Sequence, residues 1–97
     1  MEMPRSILIK GKRWKLVFKD EVLTDGESCE GTCDTEKRHI ELKRELKGEK
    51  LRQVFIHEYI HAVMFELHVT ELDTHLEEVL AEGISQCLVE NFKTTLK

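Results

Sequence analysis

The sequence predicts an α+β domain: a small, twisted, mainly antiparallel sheet of about three to four strands, packed against two helices. Three observations lead there. In the first half of the chain, short runs alternate apolar and polar residues and are broken by turns that contain Gly. After Gly48 the apolar spacing lengthens to that of a helix. Thr74 then opens a second helical stretch, with Glu77 three residues on, the spacing of a capping box. At 97 residues there is room for one core. Residues 1–97 therefore read as a single minimal domain, with strands in residues 1–45, one helix over residues 49–69 and a glutamate-bearing helix over residues 74–91.

Residues 6–22 read as a β-hairpin. Ile7, Leu8 and Ile9 lead into a turn at Lys10-Gly11-Lys12, and Trp14, Leu16 and Phe18 then alternate with polar residues. Asp25-Gly26 signals a further turn. Residues 29–33 form a short third strand, and residues 34–37 a turn. In the fourth strand, His39–Lys43, Ile40 and Leu42 make one apolar face. The first helix is apolar almost all round in its middle, as expected of a buried central helix. A break follows over residues 69–74. In the second helix, Leu76, Leu80, Ile84, Cys87 and Leu88 define the face expected to be buried, with Glu77 and Glu78 on its flank or beyond.

Composition narrows the function classes. With 40% hydrophobic and 35% charged residues the chain is too apolar for a disordered one. A net charge of -4 argues against a nucleic-acid partner, and the short basic run at residues 10–15 is balanced elsewhere. No apolar run approaches the roughly 18 residues that cross a bilayer, so no membrane partner is expected. The N-terminus lacks a signal-peptide core, which points to a cytoplasmic protein with its three cysteines reduced. Cys29 and Cys33 have a spacing that can ligate zinc, but no companion pair is evident, and they read as free thiols.

Chemistry concentrates in one stretch, FIHEYIHAVMFEL, where His57, Glu58 and His61 interrupt an apolar helix. His57 and His61 are four residues apart, so on a helix both imidazoles face one side and can share one zinc ion. Glu58 sits about 100° around the helix, within reach of a water on that metal without being a ligand. There the carboxylate takes the water's proton and later returns it to the leaving amine. Burying two imidazoles and a carboxylate without partners would be expensive, and one metal ion per chain supplies a partner for all three.

A catalytic zinc site needs a third protein ligand. His68 returns to the same helical face but lies about 10 Å along the axis from His61, too far for the same tetrahedron. The second helix offers Glu77, Glu78 and Glu82. Glu78 and Glu82 are four apart and look the same way, a pairing that suits one metal ligand and one carboxylate orienting a ligand histidine.

This arrangement resembles the gluzincin metallopeptidases, and most closely their minimal members, the ImmA/IrrE-type and related small phage and bacterial zinc peptidases. That group carries a glutamate in the pattern E-x-x-A-N-x-F-A-x-x-L-L. Here Glu78-Val79-Leu80-Ala81 follows it, with Glu82 in place of the Asn, Ile84 of the Phe and Ser85 of the Ala. The resemblance covers roughly residues 15–91 and favours Glu78 as the third ligand. A second register, Glu82-Gly83-Ile84-Ser85-Gln86, resembles the E-x-x-S-D element of larger gluzincins and would make Glu82 the ligand. The resemblance also implies a peptide or protein substrate, bound by strand addition along His39–Lys43.

The function expected from these residues is a zinc-dependent metallopeptidase, with His57, His61 and Glu78 on the metal and Glu58 as general base. Its alternative is a zinc-bound regulatory or interaction module with little or no peptidase activity, suggested by the small size and the lack of an evident oxyanion-stabilising residue. A third reading is a closed structural site with His68, His75 or Glu82 as fourth ligand.

Overall fold

The computed structural model describes residues 5–68 and 74–91. Strands β1 (Ser6–Ile9), β2 (Lys12–Lys19), β5 (Gly31–Asp34) and β6 (His39–Lys43) form one sheet in the order β1-β2-β6-β5. The short strands β3 (Val22–Thr24) and β4 (Glu27–Cys29) make a separate two-stranded sheet. Helices α1 (Gly48–Glu66) and α2 (Thr74–Asn91) follow. The class is the α+β one expected, with two antiparallel ladders and one parallel ladder in the main sheet. The expected break at residues 69–74 lies outside the described residues except for Thr74, where α2 begins.

Turn chemistry sets the hairpins. Lys10 and Gly11 have φ of 51° and 79°, and Asp25 and Gly26 have φ of 53° and 82°. Both pairs are two-residue loops with positive φ throughout, whose twist matches that of the flanking strands. The β5–β6 loop is longer: Asp34 Oδ1 accepts from the backbone N–H groups of Glu36 and Lys37, both at 3.1 Å, and Arg38 closes it at φ 55°. The third strand therefore splits: residues 27–29 pair back on β3, and only Gly31–Asp34 joins the main sheet.

The pleat then sorts the faces. Trp14, Leu16 and Phe18 of β2 stand in register with Ile7 of β1 and with Ile40 and Leu42 of β6, and Cys33 of β5 faces Ile40. On this surface lies α1, contributing Leu51, Val54, Phe55, Ile56 and Ala62 to the core. Gly31 is the close approach between β5 and the helix: a Cβ there would stand 2.8 Å from Val54 Cγ1 and 3.2 Å from the Glu41 carbonyl oxygen.

Two expectations are overturned. β6 lies between β2 and β5 and is hydrogen-bonded on both sides, so His39–Lys43 has no free backbone edge for an added strand. The edge nearest the helices is β5. The face of α2 expected to be buried is largely exposed: Leu76 is 41%, Leu80 38% and Ile84 44% accessible, and Cys87 is exposed. Leu88 lies outside the described side chains. Ala81 and Ser85 are the α2 residues that are fully buried among those described, flanked on the same side by Glu77, Glu78 and Glu82. The reason is in α1, whose outward face carries His57 and His61. The groups that satisfy those rings are carboxylates, so α2 turns its acidic side inward.

Candidate metal centre

α1 is long enough to serve two surfaces. Its apolar side is committed to the sheet, and one turn apart on the other side stand His57 and His61, with ring centroids 5.0 Å apart and side chains 17% and 14% accessible. Their Nε2 atoms face each other at 3.3 Å. Glu78 of α2 meets both, with Oε1 2.7 Å from His61 Nε2 and Oε2 3.5 Å from His57 Nε2. One ligand atom from each of the three residues lies within 4.8 Å of the others.

The other ring nitrogens are also engaged. His57 Nδ1 is 2.9 Å from Glu82 Oε1, and His61 Nδ1 is 2.7 Å from Glu77 Oε1. An ionised carboxylate only accepts hydrogen bonds, so a ring that carries its proton on Nδ1 donates it to Glu82 or Glu77. In a neutral imidazole that leaves Nε2 as a bare acceptor. With both rings in that tautomer, the two Nε2 atoms and the Glu78 carboxylate share one small space with no donor among them. Protons on the rings or a cation can meet that demand, and two imidazoles with one carboxylate are the donor set of a catalytic zinc site. The residues fit the ion.

Glu58 stands beside this group at the junction of two clefts. One, of about 360 Å³, is lined by Thr32, Cys33, Glu58, His61, Met64 and Glu77 among others. The second, of about 240 Å³, is lined by Gly31, Lys50, Gln53, His57, Glu58 and Glu82 among others. Burial pushes the Glu58 carboxyl above the usual carboxylate range; His57 and His61 oppose the shift and Glu78 adds to it. A carboxylate raised in this way is a better proton acceptor near neutral pH.

The remaining sequence candidates fall outside the Nε2 cluster. Glu82 and Glu77, weighed as third ligands, sit on the Nδ1 atoms. His68 lies two residues past the end of α1, in the left-handed region at φ 59°, and is exposed, although it lines the larger cleft. His75 is exposed, and Tyr59 leans on Phe55 with centroids 6.0 Å apart. The Cys29 thiol lies 3.2 Å from Thr24 Oγ1 and donates to the Val22 carbonyl at 3.6 Å. Cys33 lies on the other sheet, its thiol pushed up to about 12, first by burial and then by Glu58, Asp34 and Glu77. Among the described residues no metal-type cluster includes a cysteine. Periodicity gave no sign of Glu77's role, because a contact between helices joined by a turn depends on how they are rotated against each other.

The SprT-like family model matches residues 9–91. The chain belongs to the SprT-like family, a zinc metallopeptidase-like family with the HExxH motif that His57, Glu58 and His61 supply here. The match gives no assignment to the ImmA/IrrE group. Neither curated proteins nor solved structures offer a match to the chain. Among the described residues no helix is long and apolar enough to cross a membrane.

Proposed function

We propose that the protein is a zinc-dependent peptidase in which His57, His61 and Glu78 hold the metal and Glu58 is the general base. The observation that carries the reading is the convergence of two Nε2 atoms and the Glu78 carboxylate beside Glu58, where two clefts meet. A zinc ion held there supplies Lewis acidity toward a peptide carbonyl and a water. Glu58 would take a proton from water as the water oxygen bonds to the carbonyl carbon, and would pass it to the amine nitrogen as the C–N bond breaks, a role suited by its raised pKa. An extended peptide passing from one cleft to the other crosses Glu58 and runs beside β5, the edge strand. The thiols of Cys29 and Cys33, which form no disulfide, fit a reducing compartment such as the cytoplasm.

Metal analysis of the purified protein tests the ligand set. About one zinc per chain is expected, on the usual stoichiometry of such sites, and it is lost in His61→Ala and Glu78→Ala. Iron in place of zinc would change the ion, since two histidines and a carboxylate also suit iron. Glu58→Gln separates binding from catalysis: it keeps the zinc and abolishes cleavage of peptide libraries read by mass spectrometry. Cleavage at wild-type rate in that variant would remove Glu58 from the mechanism.

A second reading, a zinc-bound interaction module, draws on the exposed apolar stripe of Leu76, Val79, Leu80 and Ile84. It predicts a zinc-loaded wild type that cleaves nothing in the same libraries.

A further inference from the structure

α2 brings three carboxylates to the two histidines, and they do not do the same thing. Glu78 bridges the Nε2 atoms, whereas Glu77 and Glu82 each take one Nδ1, at 2.7 and 2.9 Å. The assignment is one to one. The spacing explains it: Glu77 and Glu78 are adjacent and diverge by about 100° around the helix, so one can reach past His61 while the other meets its far nitrogen. Glu82, one turn beyond Glu78, sits opposite His57, one turn before His61 on α1.

Glu82 is itself held in place. Glu82 Oε2 accepts from Gln86 Nε2 at 3.1 Å, one turn on, and from Gln53 Nε2 of α1 at 3.5 Å, which leaves Oε1 for the ring. Glu77 is less accessible than its neighbours, at 32% against 53% for Glu78 and 50% for Glu82. A hydrogen bond between charged and neutral partners strengthens as water withdraws, so the Glu77–His61 contact is the stronger of the two.

We propose that Glu77 and Glu82 are positioning residues that hold the Nδ1–H of His61 and His57, fixing both rings so that their Nε2 lone pairs point at one metal position. This inference rests on the ligand set proposed above and adds the groups that orient it. Without Glu77 or Glu82 an imidazole can rotate about χ2 or present its other tautomer, and affinity falls by the cost of restoring the right one. Removal of such outer partners usually costs about 10- to 100-fold in metal affinity.

The test is zinc affinity by competition with a chromophoric chelator, for the full chain and for Glu77→Ala, Glu77→Gln, Glu82→Ala and Glu82→Gln, beside His57→Ala and Glu78→Ala. The Ala variants at 77 and 82 are expected to lose about 10- to 100-fold, the Glu77 variant more. The Gln variants lose several-fold, because an amide oxygen still accepts from Nδ1–H without the charge. Nitrogen-15 spectra of the zinc-loaded wild type should give Nε2 coordination and a slowly exchanging Nδ1–H for both rings. The His61 Nδ1–H should exchange faster in Glu77→Ala, and the His57 Nδ1–H in Glu82→Ala.

Wild-type affinity in both Ala variants, with zinc lost in His57→Ala and Glu78→Ala, overturns the positioning roles and leaves the ligand set standing. Loss as complete in Glu77→Ala as in Glu78→Ala makes Glu77 a ligand and also overturns the inference. Wild-type affinity in His57→Ala and Glu78→Ala sinks the ligand set and the positioning roles together. Should an Ala variant fail to fold, its Gln counterpart decides, and undiminished affinity there overturns the role of that residue.

Discussion

Trp14 and Glu66, 52 residues apart in the chain, are joined by a buried hydrogen bond from the indole Nε1–H to Glu66 Oε2 at 2.8 Å. The same oxygen accepts from Arg38 Nε at 2.6 Å, and Phe65 packs edge-on against the indole with centroids 6.2 Å apart. The end of the helix that carries His57 and His61 is therefore tied to the second strand and to the β5–β6 loop through one carboxylate. Trp14 is completely buried, so Trp14→Phe both deletes the donor and leaves space. The expected loss is about 1–3 kcal/mol of stability, read from the urea midpoint. An unchanged midpoint would mean that the tie contributes nothing to the fold.

The same carboxylate predicts a pH dependence. The Arg38 guanidinium, above all, holds Glu66 below the usual carboxylate range; burial opposes this and the Trp14 N–H supports it. The folded carboxyl therefore titrates at lower pH than the unfolded one. Its contribution is present at neutral pH and disappears as pH falls through the depressed folded value. Glu66→Gln should flatten the acid limb of the stability profile. A limb as steep as that of the wild type would assign acid unfolding to other groups.

Gly31 predicts a packing conflict. Its added Cβ would lie 2.8 Å from Val54 Cγ1 and 3.3 Å from Leu42 Cδ2, and Val54 is a stiff β-branched side chain on the buried face of α1. Gly31→Ala should destabilise by about 1–3 kcal/mol. Combining it with Val54→Ala should cost less than the two separate losses together, since the second change removes the clash. Strict additivity would mean that the strand had shifted away.

Cys33 should be a slow thiol. With its pKa pushed up to about 12 by burial and by neighbouring carboxylates, it is almost wholly protonated at neutral pH, and the thiolate is the species that reacts. Mass-resolved iodoacetamide labelling should modify exposed Cys87 well before Cys33. Equal rates would show that the cleft admits the reagent and that the thiol is not suppressed.

The histidine pair was legible in the sequence because i and i+4 on a helix is a local relationship, and α1 needed only its period to be recognised. The β1–β2 hairpin and the Asp25-Gly26 turn were legible for the same reason. The parallel pairing of β2 with β6 was not, because it joins segments separated by a hairpin and a further strand, and each run's alternation fits either direction. The rotation of α2 was misread for a physical reason. An apolar stripe normally turns inward, but here the partner helix offers two imidazoles, and satisfying buried polar groups outweighs burying Leu76, Leu80 and Ile84. Glu66 was missed because its partners lie on other elements.

The inward acidic face of α2 also makes a prediction about metal removal. Among the described residues the main apolar cluster is drawn from the sheet, Leu46 and α1, with none from α2. Glu58, Glu77, Glu78 and Glu82 surround two imidazoles, an excess of negative charge that a divalent ion offsets. Chelation should loosen α2 first. Hydrogen exchange should rise across residues 74–87 while the sheet and the apolar side of α1 stay protected. Equal protection with and without metal would show that α2 is seated by its own contacts.

If zinc is held as proposed, occupancy and persistence of the protein would be coupled. Each tenfold rise in free zinc above the dissociation constant adds about 1.4 kcal/mol to the folded state, so the melting temperature tracks the metal supply. On the proposed ligand set, a copy without its ion would present α2, loosened and with its apolar flank exposed, to proteolysis. Scarcity of zinc would thin the population by degradation, and the copies left would be those already loaded.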